Sequence, residues 1–272
     1  MSTLQEIFDS SGLSRVSKEL IQVALPSIRL TAHPVDEISL RLGSTKFGGS
    51  PDLPEGIEWP EPNGVLLPFV AQINLFEIAP YDKDHLFPDA GIIFFFFDQK
   101  AFFESRTSDQ ATTWYVYYTE SSLANLQRLP ISESISRRER YRTSGVTCST
   151  EITLPDYSKY APTSIKRLGL SNPLTDIEEQ AYYQVQAQFA KRAGATYHIP
   201  IHRLLGHPDN VQWDMYDELG GVPTDWQLLL QVDSDRIIDT NWGDTGRIYY
   251  WIGTQDLAER NFNRVKLILQ ST

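Results

Sequence analysis

Cysteine, basic charge and long apolar runs are all scarce in this sequence. The 272 residues contain one cysteine, Cys148, so no disulfide can form within the chain, as is typical of proteins in a reducing compartment. The longest apolar run, 91–97, is far too short to span a bilayer. Acidic residues near the N-terminus argue against a signal peptide. These absences predict a cytoplasmic protein without a membrane segment.

The balance of charge is acidic, with 24 Lys and Arg against 35 Asp and Glu and a formal net charge of −11. Such a charge opposes binding to nucleic acid or to an anionic membrane and is compatible with a basic protein partner. The one local basic run, SRRERYR, contains Arg137, Arg138, Arg140 and Arg142 but is interrupted by Glu139. We interpret it as a solvated loop rather than a nucleic-acid patch.

A set of unusual residues occurs twice in the same order. PFVAQINL at 68–75 precedes DAGIIFFFF at 89–97, and WQLLLQVD at 226–233 precedes DTGRIYYWI at 244–252. The two copies pair Gln72 with Gln231, Asn74 with Asp233, Asp89 with Asp244 and Gly91 with Gly246. This order predicts two related halves and a single α+β domain with a mostly antiparallel sheet and a pseudo-twofold internal repeat.

Apolar periodicity predicts the elements of this domain. Helices are expected at 13–25, from Thr175 (where Thr175 and Glu178 form a capping box) to Gly194, and near Thr254. Ile177, Ala181, Val185 and Phe189 would be the buried face of the second helix. Strands are expected at 27–31, 38–42, 66–75, 91–97, 112–119, 146–154 and 265–269, with long connections at 43–64 and 132–143.

The repeated glutamines are the first candidates for a site. Gln72 and Gln231 each follow a strand that should be buried, so both amides need partners. They could face each other on the floor of a cleft between the halves, or each could hold the backbone of its own neighbouring loop. Trp59, Trp213 and Trp242 lie in loops or turns, where they could anchor a partner or cover the ends of the sheet.

Metal and cofactor chemistry finds little support. The acidic set Asp233, Asp235, Asp239 and Asp244 lacks the spacing of a calcium loop, and His198, His202 and His207 lack that of a helical zinc motif. No phosphate loop, dinucleotide fingerprint or Gly-x-Ser-x-Gly elbow is present, and Cys148 lies in a predicted strand as an inert thiol. We therefore expect no cofactor and no metal.

Six motifs in order resemble one known family. They are GGSPDLPEGIEWP at 48–60, AQINL at 71–75, GIIFFFFD at 91–98, LLGHPDNVQ at 204–212, WQLLLQVDSD at 226–235 and WGDTGRIYYWI at 242–252. Together they are similar to the bacterial YwqG-like family, whose function is unknown, over about residues 35–270. The resemblance implies a YwqG-like domain at 35–272, preceded at 1–34 by a helical segment and first strand that should pack with it as one unit. Family members near toxin or stress-associated genes suggest an immunity-type or stress-associated role.

These observations favour a non-enzymatic binding domain for a protein or peptide. A cleft between the halves, or the loop around Trp59, would hold the ligand, with contacts from Trp59, Gln72, Gln231, Asp233 and Trp242. The alternative is a hydrolase, with or without a metal, in which the acidic group near Asp233 and the histidines near His202 converge. A sensor of a small metabolite is the third hypothesis.

Overall fold

The apolar strands expected from the sequence assemble into one large sheet. The computed structural model describes residues 3–105, 112–158, 166–195 and 198–272. Within this part, ten strands form one sheet and two short strands form another. The strands are β1 (Leu25–Pro34), β2 (Lys46–Phe47), β3 (Asp52–Pro54), β4 (Phe69–Asn74), β5 (Ile92–Phe97), β6 (Trp114–Thr119), β7 (Leu126–Arg128), β8 (Ser144–Thr153), β9 (His202–Leu204), β10 (Trp226–Asp233), β11 (Arg247–Gly253) and β12 (Lys266–Gln270).

The order of the large sheet places the first strand near its middle. The order is β12-β11-β10-β9-β1-β8-β2-β4-β5-β6, while β3 pairs with β7 in the small sheet. Leu30 of β1 lies opposite Cys148 of β8 on one side and His202 of β9 on the other. All pairings between strands of the described part are antiparallel. The prediction of a mostly antiparallel α+β domain is therefore confirmed.

Both faces of β5 are buried, as its unbroken apolar sequence predicted. Along β5, Ile93, Phe95 and Phe97 point into the main core, whereas Phe94 and Phe96 point to a second cluster on the outer face. The main core lies on the concave side of the sheet, and the outer clusters need a second layer to exclude water. The small sheet formed by β3 and β7 supplies that layer over β5.

The large sheet curls until its two ends almost meet, which gives a nearly closed barrel. Trp114 of β6 donates a hydrogen bond from Nε1 to the carbonyl of Val265, just before β12, at 3.1 Å. The rings of Tyr118 and Phe262 lie 4.9 Å apart across the same junction. Inside, the ring of Phe95 on β5 packs against that of Tyr250 on β11 at 4.9 Å. Aromatic side chains therefore hold the ends of the sheet together where no ladder of backbone hydrogen bonds joins β6 to β12 in the described part.

Short helices in the connections pack against the sheet, some on the main core and others on its outer face. They are α1 (Leu4–Ser10), α2 (Ser17–Val23), α3 (Leu75–Ile78), α4 (Gln99–Glu104), α5 (Asp176–Phe189), α6 (Tyr216–Leu219) and α7 (Thr254–Ala258). The first two pack with α5 in a separate apolar cluster that includes Phe8, Leu20 and Tyr182. Within the described residues, no helix combines the length and the apolar character that crossing a bilayer requires.

Two predictions about local structure were wrong. Residues 38–42 do not form a strand, because the Asp36 side chain accepts from the Ile38 amide and starts a 3-10 turn at Glu37–Ser39. The helix expected at 13–25 is confined to α2, and β1 begins at Leu25.

The second expected helix has its predicted start and, except at Ile177, its predicted buried face. Thr175 and Glu178 form the capping box at the start of α5. Ala181 and Val185 are buried and Phe189 packs against the same cluster, as predicted, whereas Ile177 is 79% exposed and Tyr182 is buried in its place. Gly194 has the positive φ expected of a helix cap, but α5 ends earlier, at Phe189.

Candidate functional site

The first repeated glutamine holds a loop to the outer face of the sheet. Gln72 is fully buried on β4. Its Oε1 accepts from the backbone amide of Asp52 at 2.9 Å, and its Nε2 donates to the carbonyl of Ser44 at 2.8 Å. Both ends of the 44–52 segment are thus fixed by one amide side chain, which satisfies backbone groups that would otherwise be buried without partners.

The second repeated glutamine does the same for another loop. Gln231, fully buried on β10, accepts at Oε1 from the amide of Asp209 at 2.9 Å and donates from Nε2 to the carbonyl of Ile201 at 2.9 Å. Each glutamine therefore has its own loop and its own partners, so the two amides do not form a shared floor of one cleft. That either glutamine contacts a ligand stays a prediction. In this structure both buried side chains hold the backbone of a loop.

Buried charges reinforce both loops. In the first loop, Lys46 donates to the carbonyl of Ser50 at 2.5 Å, and Asp52 pairs with Arg128 at 2.7 Å. In the second, Arg203 donates to the carbonyl of His207 at 2.8 Å. Asp209 forms ion pairs there with Arg192 and with Arg247, the latter at 2.5 Å.

These ion pairs decide the protonation of the two aspartates. Burial by itself would raise the pKa of Asp52, but the Arg128 and Lys46 cations bring it below its usual value. Burial would likewise raise the pKa of Asp209, but the Arg247 and Arg192 cations outweigh this effect and lower it. Both carboxylates therefore remain charged and hold their loops in place at neutral pH.

Asp233 and two of the histidines converge, as the enzyme hypothesis required. The Asp233 carboxylate lies 2.9 Å from Nε of Arg247 and 3.2 Å from Nε2 of His198. His202 accepts at Nδ1 from the Asp233 amide at 3.1 Å, and its Nε2 lies 3.0 Å from Oδ2 of Asp235. Since Nδ1 accepts, Nε2 carries the proton and His202 is the neutral tautomer.

The remaining members of the acidic and histidine sets lie elsewhere. The His207 ring contacts the carbonyl of Val23 at 2.7 Å, and Asp239 pairs with Arg142 at 3.7 Å. Asp244 is exposed. Over the described ranges, no group of three or more His, Cys, Asp or Glu side chains is arranged to hold a metal ion.

The two tryptophans proposed as anchors flank one tyrosine. Trp242 is fully buried, donates from Nε1 to the carbonyl of Asp233 at 3.2 Å and packs its ring 5.3 Å from that of Tyr141. Trp59 is half-buried, donates to the carbonyl of Leu67 at 2.7 Å and lines one small cavity together with Tyr141. Trp213, by contrast, is 62% exposed. Trp59 and Trp242 therefore act as packing residues around Tyr141.

An open groove lies beside Tyr141 at one end of the barrel. Three connections meet there: the start of α4 after β5, the 3-10 turn at Arg137–Glu139, and the segment between β10 and β11. We call this cavity the mouth groove. Its volume is about 810 Å³, which suits a ligand or a peptide segment. It is lined by Gln99, Lys100, Phe103, Ser136, Arg137, Arg138, Glu139, Tyr141, Asp239, Asn241 and Gly243.

Two polar atoms in the wall of the mouth groove have no hydrogen-bond partner within the described part of the chain. They are Oη of Tyr141, a residue only 4% exposed, and Oε1 of Glu139. Burial and the nearby Asp98 carboxylate raise the pKa of Glu139, and burial raises the pKa of Tyr141. A buried polar atom without a hydrogen-bond partner lowers the stability of the folded protein. A ligand that supplies partners to these two atoms would therefore gain binding free energy.

Positive charge surrounds the mouth groove. Lys100, Arg137 and Arg138 are all exposed, and none of the ion pairs between described residues involves them. Asp239, an acid in the lining of the groove, is paired with Arg142 at 3.7 Å. The groove is therefore a cationic area on a protein whose net charge is −11.

Sequence reasoning missed Asp98, Glu139 and Tyr141 as site residues. The available signal was an acid and a tyrosine placed inside an otherwise basic run, SRRERYR. A solvated loop has no reason to bury either side chain. The predicted exposure was correct for Arg137 and Arg138, while Tyr141 turns inward to the core.

The fold and the groove define a class of protein: an α+β protein built on one barrel-like antiparallel sheet, with an open cavity at one end of the barrel. The chain belongs to the family described as Domain of unknown function (DUF1963), which matches residues 45–271. YwqG-like proteins are members of this family, so the resemblance seen in the sequence is confirmed. A search of curated proteins found no match.

Proposed function

We propose that this protein is a cytoplasmic, non-enzymatic binding domain that holds a segment of a protein or peptide in the mouth groove. The observation that carries the proposal is the pair of unpartnered atoms, Tyr141 Oη and Glu139 Oε1, in the wall of an open cavity of about 810 Å³. A ligand that supplies hydrogen-bond partners to both atoms gains energy that the free protein lacks.

The charges around the groove favour an acidic ligand. Lys100, Arg137 and Arg138 form no ion pair between described residues, so a ligand carboxylate would not have to break one. Phe103, which is 60% exposed in the groove wall, adds apolar area for a neighbouring side chain of the ligand. The ligand class is therefore an acidic segment with at least one apolar residue.

An internal doubling accounts for the framework behind the groove, and we propose it as the origin of the repeated motifs. Three kinds of observation support it. The sheet order reads alike from either end, with β2, β4 and β5 in the places that β9, β10 and β11 occupy on the other side. The two hydrogen bonds that Gln72 makes with backbone groups correspond to the two that Gln231 makes. The amides of Asn74 and Asp233 each donate to a side chain of the neighbouring strand segment, Thr45 and His202.

Selection from a displayed random peptide library tests the proposal. We expect the wild type to enrich acidic peptides, and the K100E/R137E/R138E variant to bind them at least ~10-fold more weakly. A K18E/R41E/K83E variant is the matched control, because it changes the net charge equally at exposed cations outside the groove. Equal binding by both variants, or no enrichment, would overturn the proposal.

Tyr141→Phe separates a binding role from a structural one. Because the Tyr141 hydroxyl has no partner in the described protein, its removal should leave the free energy of unfolding unchanged or slightly higher. Binding of the enriched peptide should nevertheless weaken, by about 1 kcal/mol for one lost hydrogen bond. A loss of stability without a loss of binding would show that the hydroxyl serves the fold.

A second candidate function, a hydrolase, is favoured by the carboxyl pair at the edge of the groove. Burial and the Asp98 carboxylate raise the pKa of Glu139 above its usual value, which is the direction that a general acid requires. The Asp98 side chain is positioned by a hydrogen bond that it accepts from the backbone amide of Ala101 at 2.7 Å. A panel of chromogenic esters, phosphates and glycosides tests this candidate. Turnover that is abolished in Glu139→Gln would support it, and turnover unaffected by that change would reject it.

A further inference from the structure

A second groove, independent of the mouth groove, lies on the outer face of β6. It has a volume of about 390 Å³ and lies between β6 and the loop that follows β3. Tyr115 and Tyr117 are two residues apart on the strand, so both rings point to this face. Tyr117 is supported from below by Phe94, whose ring centroid is 6.0 Å away, and the buried Leu53 forms part of the wall. We call this cavity the tyrosine groove.

The opposite wall of the tyrosine groove is rigid. Pro60 and Pro62 line it, and proline has little conformational freedom to lose when a ligand is bound. Two hydrogen bonds with Leu67 anchor the loop. The Trp59 indole donates to the carbonyl of Leu67 at 2.7 Å, and the amide of Leu67 donates to the carbonyl of Pro60 at 3.0 Å. The shape of the groove therefore exists before a ligand arrives.

The aromatic floor remains accessible. Tyr115 is 38% exposed and Tyr117 is half-buried, and both line the groove, so a ligand can contact both side chains. Parallel aromatic ridges on a rigid surface are the surfaces on which polyproline II segments dock, since proline rings pack between the aromatic rings and tyrosine hydroxyls donate to the exposed carbonyls of the peptide.

The charge of the tyrosine groove is opposite to that of the mouth groove. Glu58 and Glu61 lie in its wall, both are exposed, and neither takes part in an ion pair or a side-chain hydrogen bond between described residues. Two free carboxylates beside an apolar floor favour a ligand that carries Lys or Arg next to apolar residues.

We propose that the tyrosine groove binds a basic, proline-containing segment of a partner protein in the polyproline II conformation. The prolines of the segment pack on Tyr115 and Tyr117, and its cations pair with Glu58 and Glu61. An acidic segment does not fit, because the Glu58 and Glu61 carboxylates repel it. An apolar helix without cations does not fit either, because it leaves both carboxylates without an ion pair.

Fluorescence anisotropy with three labelled peptides of equal length tests the proposal. The first peptide contains two prolines and two arginines, the second replaces the arginines with glutamates, and the third replaces the prolines with alanines. We expect binding of the first peptide only, with an affinity that falls as salt is raised. No binding of the first peptide at millimolar concentration, or equal binding of the first two, would overturn the proposal.

Variants of the protein locate the bound peptide. Tyr115→Ala should weaken binding about 10-fold through the lost aromatic contact. The E58K/E61K variant should weaken it by a similar factor without touching the core, so it keeps the test decisive if Tyr115→Ala fails to fold. E55K/E133K, which reverses two exposed acids outside the groove, is the matched control and should bind as the wild type does. Equal weakening by the control would place the peptide elsewhere and overturn the assignment.

Discussion

Gln72 and Gln231 are each important for the fold, because each side chain fixes a loop at two backbone positions. A leucine of similar size would fill the space but leave buried amide and carbonyl groups without partners. The motifs that stand out in the sequence, GGSPD and LGHPD, are the loops that these glutamines hold. Their chemistry is that of folding, and the candidate binding residues lie outside them.

We predict that Gln72→Leu and Gln231→Leu each lower the free energy of unfolding by about 2–4 kcal/mol, since each leaves at least two buried backbone groups unsatisfied. The effects should add in the double variant, because the two side chains share no partner. Urea denaturation measures both quantities. Gln227→Leu, on the same strand as Gln231 but half-exposed, is the control and should change stability little. Strong coupling between the two glutamines would contradict their separate placement.

His207 should make the protein sensitive to acid. Burial lowers the pKa of His207 from 6.5 to about 4, so the folded state keeps the ring neutral. Between these values the unfolded chain binds a proton that the folded chain does not, and stability is therefore lost as the pH falls from about 6.5 to about 4. At about 1.4 kcal/mol for each pKa unit, the loss amounts to about 3 kcal/mol.

The measurement is a pH series of denaturation curves for the wild type and for His207→Gln, whose amide can still donate to the Val23 carbonyl. The variant should show a flatter dependence between pH 6.5 and 4, whatever its stability at neutral pH. Parallel curves for the two proteins would show that His207 does not titrate differently in the folded and unfolded states.

At the scale of elements, the start of α5 and three of the four residues predicted for its buried face are as expected, and only Ile177 is misplaced. The capping box of Thr175 and Glu178 is a local arrangement, and it forms as expected. The buried face packs in the cluster formed with α1 and α2, and Ile177, in the first turn, lies outside that cluster. Glu178 is held there by Arg15, whose hydrogen bonds lower the pKa of the carboxylate to about 2.

We expect Thr175→Ala to destabilise the protein by about 1 kcal/mol through loss of the cap. Ile177→Ala should change the free energy of unfolding by less than about 0.5 kcal/mol, because its side chain lies in solvent. Thermal and urea unfolding followed by circular dichroism compare the two variants. A larger effect at Ile177 than at Thr175 would restore the face inferred from the sequence.

Long apolar strands and capping boxes were predictable because their signals are local. β4, β5, β6, β8, β10 and β12 follow from runs of apolar, β-branched and aromatic residues. The two-residue strand β2 and the three-residue strand β9 could not be predicted, since each forms only by pairing with partners far away in sequence. The mouth groove was unpredictable for the same reason: Lys100, Glu139 and Asn241 meet only after the barrel has formed.

At the scale of the whole molecule, the strand β1 lies outside the region matched by the family, residues 45–271, yet it lies in the middle of the sheet. It is paired along its full length with β8 and over three residues with β9. Removing it would expose two unpaired edges and open the main core, which contains Ile28 and Leu30.

Two truncations test this arrangement. A protein lacking residues 1–24 loses α1 and α2 but keeps β1, and we expect it to fold with reduced stability. A protein lacking residues 1–34 also loses β1 and should show no cooperative thermal transition. Circular dichroism and size-exclusion chromatography measure both. Cooperative folding of the shorter protein would show that β8 and β9 can close the sheet without β1.

The position of β1 also has a consequence for the order of events on the ribosome. Leu25 and Ser27 are synthesised early, but their hydrogen-bond partners Thr153 and Leu204 follow 128 and 177 residues later. β1 must therefore wait, with both edges unpaired, until β8 and β9 have been translated. Nascent chains of this protein should consequently depend on chaperones that shield an exposed N-terminal strand, and slowing translation should lengthen that dependence.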